Sequence, residues 1–248
     1  MSEDLTDFLR GWEYDPEQTM RIIQAGDGRK VLQVRLPLGV EQYELDGRPD
    51  GVRPRGYETA LDELEHKLEQ YRYDSGSAEA FRIAHDDAVR LQNEGVLFYY
   101  RYLMLFQMSD FDRVARDTDH NLRLCRLLEQ HCDNEEDRNA VLQFRPYIIR
   151  MNAMSRAMMS LNDELQQVAE HILNSAIEEI EALPELEAPA FQFERIRSLN
   201  YLRSATKQLS QVSPSPVAKL ERELKEAVAE EDYERAAELR DRIREISE

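Results

Sequence analysis

Val96-Leu97-Phe98-Tyr99-Tyr100-Arg101-Tyr102-Leu103-Met104-Leu105-Phe106 is apolar on nearly every side of a helix, interrupted by a single arginine. A surface helix needs only one apolar stripe, so a helix that is apolar all round belongs in a protein core. The stretch is far short of the ~18–20 apolar residues that span a bilayer. It is the C-terminal half of a longer helical pattern, Ala78–Met108, weakened at Gly95. The chain is therefore organised around a central buried helix, and the fold class is mainly α.

Working toward the C-terminus, Ser109-Asp110-Phe111-Asp112 gives a turn and a capping box, with the Ser109 hydroxyl as N-cap and an acid three residues on. The next helix carries Phe111, Val114, Thr118, Leu122, Cys125, Leu128 and Cys132 at spacings of three and four, which places them on one face. Asp133–Glu136 opens a further helix that Pro146 should kink or split. Ser160-Leu161-Asn162-Asp163 repeats the cap chemistry and predicts a helix burying Leu161, Leu165, Val168, Ile172 and Ile180. Pro184 and Pro189 interrupt the chain before a helix over Phe193–Leu209. The turn Met108-Ser109-Asp110-Phe111-x-x-Val114 resembles that of a tetratricopeptide repeat, and Met159-Ser160-Leu161-Asn162 shares it in part. The two turns are not ~34 residues apart, so a tetratricopeptide-like helical bundle is expected rather than a tandem array.

Toward the N-terminus, Tyr57–Tyr71 is a charged amphipathic helix with Leu61, Leu64 and Leu68 on one face, ended by Ser75-Gly76-Ser77. Residues 1–56 differ in kind. Six of the nine glycines precede residue 56 (Gly11, Gly26, Gly28, Gly39, Gly47 and Gly51). Strand-like runs at Thr19–Gln24, Arg29–Leu36 and Val40–Leu45 are separated by Ala25-Gly26-Asp27-Gly28 and Pro37-Leu38-Gly39. That pattern predicts a small antiparallel β-meander, too small to stand alone.

Ser213-Pro214-Ser215-Pro216 reads as a stiff linker that also starts a helix, with Ser215 as N-cap and Pro216 in the first turn. Val217, Leu220, Leu224 and Ala227 line one face of it. Glu230-Glu231-Asp232 makes a turn, Asp232 can cap a second helix, and that helix presents Tyr233, Ala236, Ala237, Ile243 and Ile246. Small alanines opposite leucines let two helices approach closely. Two such short helices cannot build a sufficient core alone. The expected organisation is thus a β-rich segment over 1–56, a helical bundle over 57–212 and a helical hairpin over 213–248.

The hairpin resembles the UVR motif, the UvrB/UvrC interaction motif, through Leu220, Leu224, Ala227, Tyr233, Glu234, Ala236-Ala237, Leu239, Arg240-Asp241 and Ile243. Asp232-Tyr233-Glu234-Arg235-Ala236-Ala237-Glu238-Leu239-Arg240-Asp241 is its most specific part. Glu231 stands where the family usually has leucine, and Val228 replaces a second alanine. Gly11-Trp12-Glu13-Tyr14-Asp15-Pro16, Asp46-Gly47-Arg48-Pro49-Asp50-Gly51, Arg116-Asp117-Thr118 and Arg145-Pro146-Tyr147-Ile148 resemble bacterial proteins that carry a terminal UVR motif. The resemblance implies a docking module, as in the joining of UvrB to UvrC in nucleotide excision repair, or in Clp ATPases and the activator of a protein arginine kinase. It implies partner contacts through Leu220, Leu224, Ala227, Tyr233, Ala236, Ala237, Leu239 and Ile243. Asp232, Glu234, Arg240 and Asp241 would fix the hairpin.

Composition narrows the alternatives. With 32 basic and 50 acidic residues the formal charge is -18, which repels phosphate backbones unless a basic patch intervenes. Residues 157–194 hold nine acidic residues and no Lys or Arg. The hairpin is itself acidic. Ser2-Glu3-Asp4 lacks the character of a secretory signal, and Cys125 and Cys132 do not form a disulfide framework, so a cytoplasmic location is expected. No Gly-x-Ser-x-Gly, His-Glu-x-x-His, phosphate-binding loop or paired Cys-x-x-Cys is present. Candidates remain in Cys125, Cys132, His120 and His131 as metal ligands, His85-Asp86-Asp87 as an acid–base group, and Met151, Met154, Met158 and Met159 as a groove. Arg48, Arg53 and Arg55 could meet phosphate. Each has a plainer reading as core, solvated helix face or exposed turn. The expectation is a non-catalytic interaction protein without cofactor, metal, nucleic acid or membrane contact, docking a UvrB/UvrC-like or Clp-type partner or a second copy. A repair accessory factor or Clp-system regulator, and then a metal-dependent enzyme, are the alternatives.

Overall fold

The computed structural model describes residues 4–211, 220, 223–225, 227–228 and 232–247. The expected linker Ser213–Pro216, with its Ser215 cap, and the positions Val217, Glu230 and Glu231 lie outside the described residues. The chain forms two compact units, Met1–Arg203 and Ser204–Glu248.

In the first unit a short helix α1 (Thr6–Gly11) precedes a three-stranded antiparallel sheet, β1 (Met20–Gln24), β2 (Lys30–Leu36) and β3 (Gly39–Glu44), in the order β1-β2-β3. Register is regular: Ile22 faces Leu32, and Leu32 faces Tyr43. The meander thus has the predicted strands. It does not stand apart from the helices. Leu32, Val34, Tyr43 and Leu45 share one cluster with Tyr102, Leu105, Val114 and Met151 from three helices. The other face of β2 is also covered, because Gln33 and Arg35 are buried. Arg35 donates to the Trp12 carbonyl at 2.8 Å, and Gln33 accepts from Arg21. Arg21 in turn lies 3.7 Å over the Trp12 ring. Three strands could not stay soluble with both faces bare, and the helices and the N-terminal segment supply the cover.

The helices follow as α2 (Ala60–Ser75), α3 (His85–Gln107), α4 (Phe111–His131), α5 (Glu135–Leu142), α6 (Arg145–Asn162), α7 (Gln166–Ala182) and α8 (Pro189–Gln211), the last reaching into the second unit. Contacts run in series, α2 to α3, α3 to α4, α4 to α6 and α6 to α7, with short α5 against α3 and α4. Helix α3 begins seven residues later than its pattern suggested and passes through Gly95 unbroken. Its apolar half is central, with Phe98, Tyr102 and Leu105 buried. On α4 every residue of the predicted face is buried except Leu122, which is partly so. Pro146 splits α5 from α6 by occupying the first turn of α6, where its missing N–H costs nothing.

Both inter-helix turns differ from their predicted caps. After α3, the N–H of Asp110 donates to the Leu105 carbonyl (2.9 Å) and that of Ser109 to Phe106 (3.1 Å), with Ser109 at φ 60°. This is a left-handed C-terminal closure. Asp110, not Ser109, then caps α4 by accepting from the Arg113 N–H. After α6 the same closure recurs four residues beyond the predicted cap. Leu165 donates to Ser160 (2.8 Å), Glu164 donates to Leu161 (3.1 Å), and Glu164 has φ 60°. Ser160–Asn162 therefore finish α6. Helix α7 buries Ala169, Leu173, Ala176 and Ile180, while Leu165 and Val168 are exposed.

Buried charge holds the first unit together. Arg101 and Asp117 are wholly buried and joined by two 2.7 Å hydrogen bonds. Arg101 also donates to the carbonyls of Glu44 (2.7 Å) and Gly47 (2.9 Å), clamping the end of β3 and its following loop onto α3 and α4. Arg116 adds bonds to Asp46, Asp117 and the Leu45 carbonyl. Glu94, also wholly buried, accepts from the N–H groups of Ala60 (2.7 Å) and Leu61 (2.9 Å), so α3 supplies the anion at the N-terminus of α2. Burial raises the Glu94 carboxyl, but the His120 imidazole and these two N–H groups outweigh it and hold it below the usual range.

Candidate interaction surface

The second unit contains the remainder of α8, helical residues at 220, 223–225 and 227–228, and α9 (Tyr233–Ser247). Asp232 forms the junction before α9. Its N–H donates to the Ala227 carbonyl at 2.9 Å, and its carbonyl accepts from Ala236 at 3.0 Å. Its carboxylate accepts the Arg235 N–H at 3.1 Å. One residue thus satisfies a free donor of the new helix, the Arg235 N–H, and ties that helix to the preceding one, as the cap expected of it would.

Behind that junction Ala227, Ala236 and Leu239 form a small buried cluster, with Leu220 and Leu224 packed on it. Methyl side chains at the two alanines allow the helices to approach. The structure therefore divides the predicted partner-binding set. Ala227, Ala236 and Leu239 face inward and hold the hairpin, backed by Leu220 and Leu224, and Ile243 is half-buried. Tyr233, 70% exposed, and Ala237 point outward. Tyr233, Ala237 and Arg240 recur at i, i+4 and i+7, one face of α9. Val228 and Ile246 add exposed apolar surface elsewhere on the hairpin. Of the residues expected to fix the hairpin, Asp232 alone bridges its helices among the described residues. Glu234 is exposed in the first turn, where its charge suits the helix end. Arg240 and Asp241 pair with each other at 3.5 Å on the surface, an arrangement worth little.

The candidate chemical groups of the first unit are dispersed through its core and surface. Cys125 and Cys132 are buried and unpaired, and burial pushes the Cys125 thiol up to about 12. His131 is buried edge-on to Phe81, and His120 stacks on Phe98 at 3.6 Å. Among the described residues no three His, Cys, Asp or Glu converge as metal ligands. His85 meets Asp137 at 2.9 Å on the surface, and this carboxylate raises the imidazole above its ordinary value. Met151 is core. Arg48 lies 3.0 Å from Asp50, Arg53 3.8 Å from Glu58 and Arg55 2.6 Å from Glu63. Arg48 and Arg55 are thus each paired with a carboxylate, whereas the exposed Arg53 pair is worth little. Arg195 and Arg203 on α8 likewise pair with Glu185 and Glu181 of the acidic 157–194 stretch.

The family model of the UvrB/uvrC motif matches residues 215–248. No curated protein and no solved structure matches the chain. The hairpin is therefore a UVR motif at the C-terminal end of a mainly helical chain, and no helix among the described residues is long and apolar enough to cross a membrane.

Proposed function

We propose that this protein is a non-catalytic docking protein that engages another protein through the outward face of its C-terminal hairpin. The observation that carries the reading is Tyr233. An aromatic side chain, 70% exposed on a helix whose inward residues form their own cluster, is not part of that cluster among the described residues. Tyrosine is enriched among residues that dominate interface energies, because it offers area at little entropic cost. The UVR motif indicates the candidate partners: a UvrB- or UvrC-like repair protein, or a Clp-type ATPase. Direct nucleic-acid binding has less behind it, since the net charge is -18 and Arg48 and Arg55 are paired with carboxylates.

The test is affinity capture from lysate of the native host with the full chain and with Ala237→Glu, read by mass spectrometry. Ala237 is exposed, so the hairpin should fold in both, which circular dichroism checks. Loss of a UvrB-, UvrC- or Clp-type protein from the variant alone supports docking through this face. Identical captured sets would overturn it.

A further inference from the structure

The first unit contains a cleft that is independent of the hairpin and of any docking through it. Residues of α3, α4, α5, α6 and α8, with Phe144 of the α5–α6 turn, enclose about 380 Å³. That falls within the ~300–1,000 Å³ of small-molecule sites. The walls are aromatic. Tyr99 lies 5.6 Å from Tyr102 with the rings at 89°, 5.9 Å from Tyr147 and 5.3 Å from Tyr100. Val96, Tyr100 and Phe144 are exposed, so the cleft opens to solvent on their side.

Two charged residues belong to its lining among the described residues, Glu194 and Arg197, both on α8. They are not equivalent. Glu194 buries its Oε2, which lies 4.0 Å from Arg150, a buried arginine outside the lining. Arg197 is open: its side chain is 58% exposed and lies 3.6 Å from Glu194 Oε1. Among the described residues neither arginine pairs with another carboxylate. One carboxylate therefore answers two guanidinium groups. The positive charge left over sits on the arginine that a ligand can reach, and a pair this exposed holds Arg197 only weakly. The Tyr147 hydroxyl feels the same charges. Burial above all, with Tyr99 and Glu194, pushes it up to about 12 against the pull of Arg150 and Arg197, so it stays protonated at ordinary pH.

We propose that this cleft binds an aromatic monocarboxylate, with its ring among the tyrosines and its carboxylate on Arg197 at the open edge. Rings pack offset or edge-on against tyrosine. A planar guanidinium matches a carboxylate with two parallel bonds, and such charge-assisted bonds are roughly twice as strong as neutral ones. Tyr147 supplies a neutral O–H donor to the same carboxylate. A cationic ring would set a second positive charge beside Arg197 and find Glu194 already held by two arginines. A neutral ring would fill the cleft and leave Arg197 unused.

The test is a saturation-transfer NMR titration of the full chain with naphthoate, compared with naphthylmethanol and naphthylmethylammonium as its neutral and cationic counterparts. Arg197→Gln removes the charge, and Val96→Trp fills the cleft from its open side. Both positions are exposed, and thermal melts check that each variant folds. Naphthoate should bind the tightest of the three. In Arg197→Gln its affinity should fall by about tenfold or more while that of naphthylmethanol stays the same. Val96→Trp should weaken both. Absence of naphthoate binding, naphthoate binding unchanged in either variant, an equal loss of naphthylmethanol in Arg197→Gln, or naphthylmethylammonium binding as tightly as naphthoate would each overturn the proposal.

Discussion

The two units of this chain are held together in opposite ways. The first buries ion pairs and directs four hydrogen bonds of Arg101 to positions far apart in sequence, from Glu44 to Asp117. The second closes on three small or medium side chains, Ala227, Ala236 and Leu239, and on the backbone bonds of Asp232. A buried arginine held by four hydrogen bonds is intolerant of rearrangement, because a shift leaves charge without a partner. A two-helix hairpin with a thin core can shift at little cost and leaves its other faces for contact. The contrast separates a unit locked by long-range bonds from a unit with a thin core and open faces.

Removing a member of the buried pair should have the largest effect. Arg101→Ala leaves the buried Asp117 with Arg116 alone on one oxygen and frees the carbonyls of Glu44 and Gly47. The expected loss is about 3–5 kcal/mol, read as a lower urea midpoint. A loss below about 1 kcal/mol would mean that water relaxes into the site, and the supposed rigidity of the first unit would go with it. Ala236→Glu is the counterpart in the hairpin. A carboxylate forced into an alanine-sized gap should open the two helices at a cost of about 2–4 kcal/mol to that unit. Hydrogen exchange should then quicken in α9, while exchange in α3 and α4 stays as in the wild type. Slower units and faster ones would be confused only if α3 responded as well.

The same contrast governs what the sequence disclosed. The strands of the meander, the face of α4 and the centrality of α3 follow from period and composition, which report one-dimensional alternation directly. The turn after α6 did not follow, because it is closed by a left-handed Glu164, and neither glycine nor asparagine marks it. Taking Ser160 as a cap then displaced the buried face of α7. Arg101 looked like an interruption of an apolar run. Its role depends on Asp117 and on loop carbonyls more than fifty residues away, and no local pattern encodes such a meeting. In the hairpin the motif singled out a set of residues without saying which way each one faces. Which of them face inward depends on helix pairing, and Ala236 and Ala237, adjacent in sequence, end on different sides.

Acid should separate the units more gently. Glu63 is buried among Arg55, Lys67 and Arg90; desolvation opposes its charge, but Lys67 and Arg90 prevail and hold its carboxyl down to about 2. A carboxyl depressed in the folded state stabilises above its unfolded value, near 4.5, and that contribution disappears as pH falls toward 2. The predicted loss is roughly 1–3 kcal/mol across that window. Glu94, lowered as well, adds in the same direction. Glu63→Gln should flatten the acid limb of a thermal-melt series between pH 4.5 and 2. An unchanged slope would place the acid sensitivity elsewhere.

The smallest expected change in stability carries the most functional weight. Tyr233 is 70% exposed and has no place in the hairpin cluster. Surface substitutions away from packing and caps usually move stability by no more than about 0.5 kcal/mol. Tyr233→Ala should therefore melt with the wild type. Truncating an interface aromatic typically costs about 2 kcal/mol or more of binding, roughly thirtyfold in affinity. A calorimetric titration against whichever protein the capture experiment returns would read both numbers on one sample. If Tyr233→Ala lowered the melting point of the hairpin, the side chain would have a structural role and the outward face would lose its anchor. If it changed neither stability nor affinity, docking would have to run through Val228 and Ile246 instead, away from the Tyr233 face of α9.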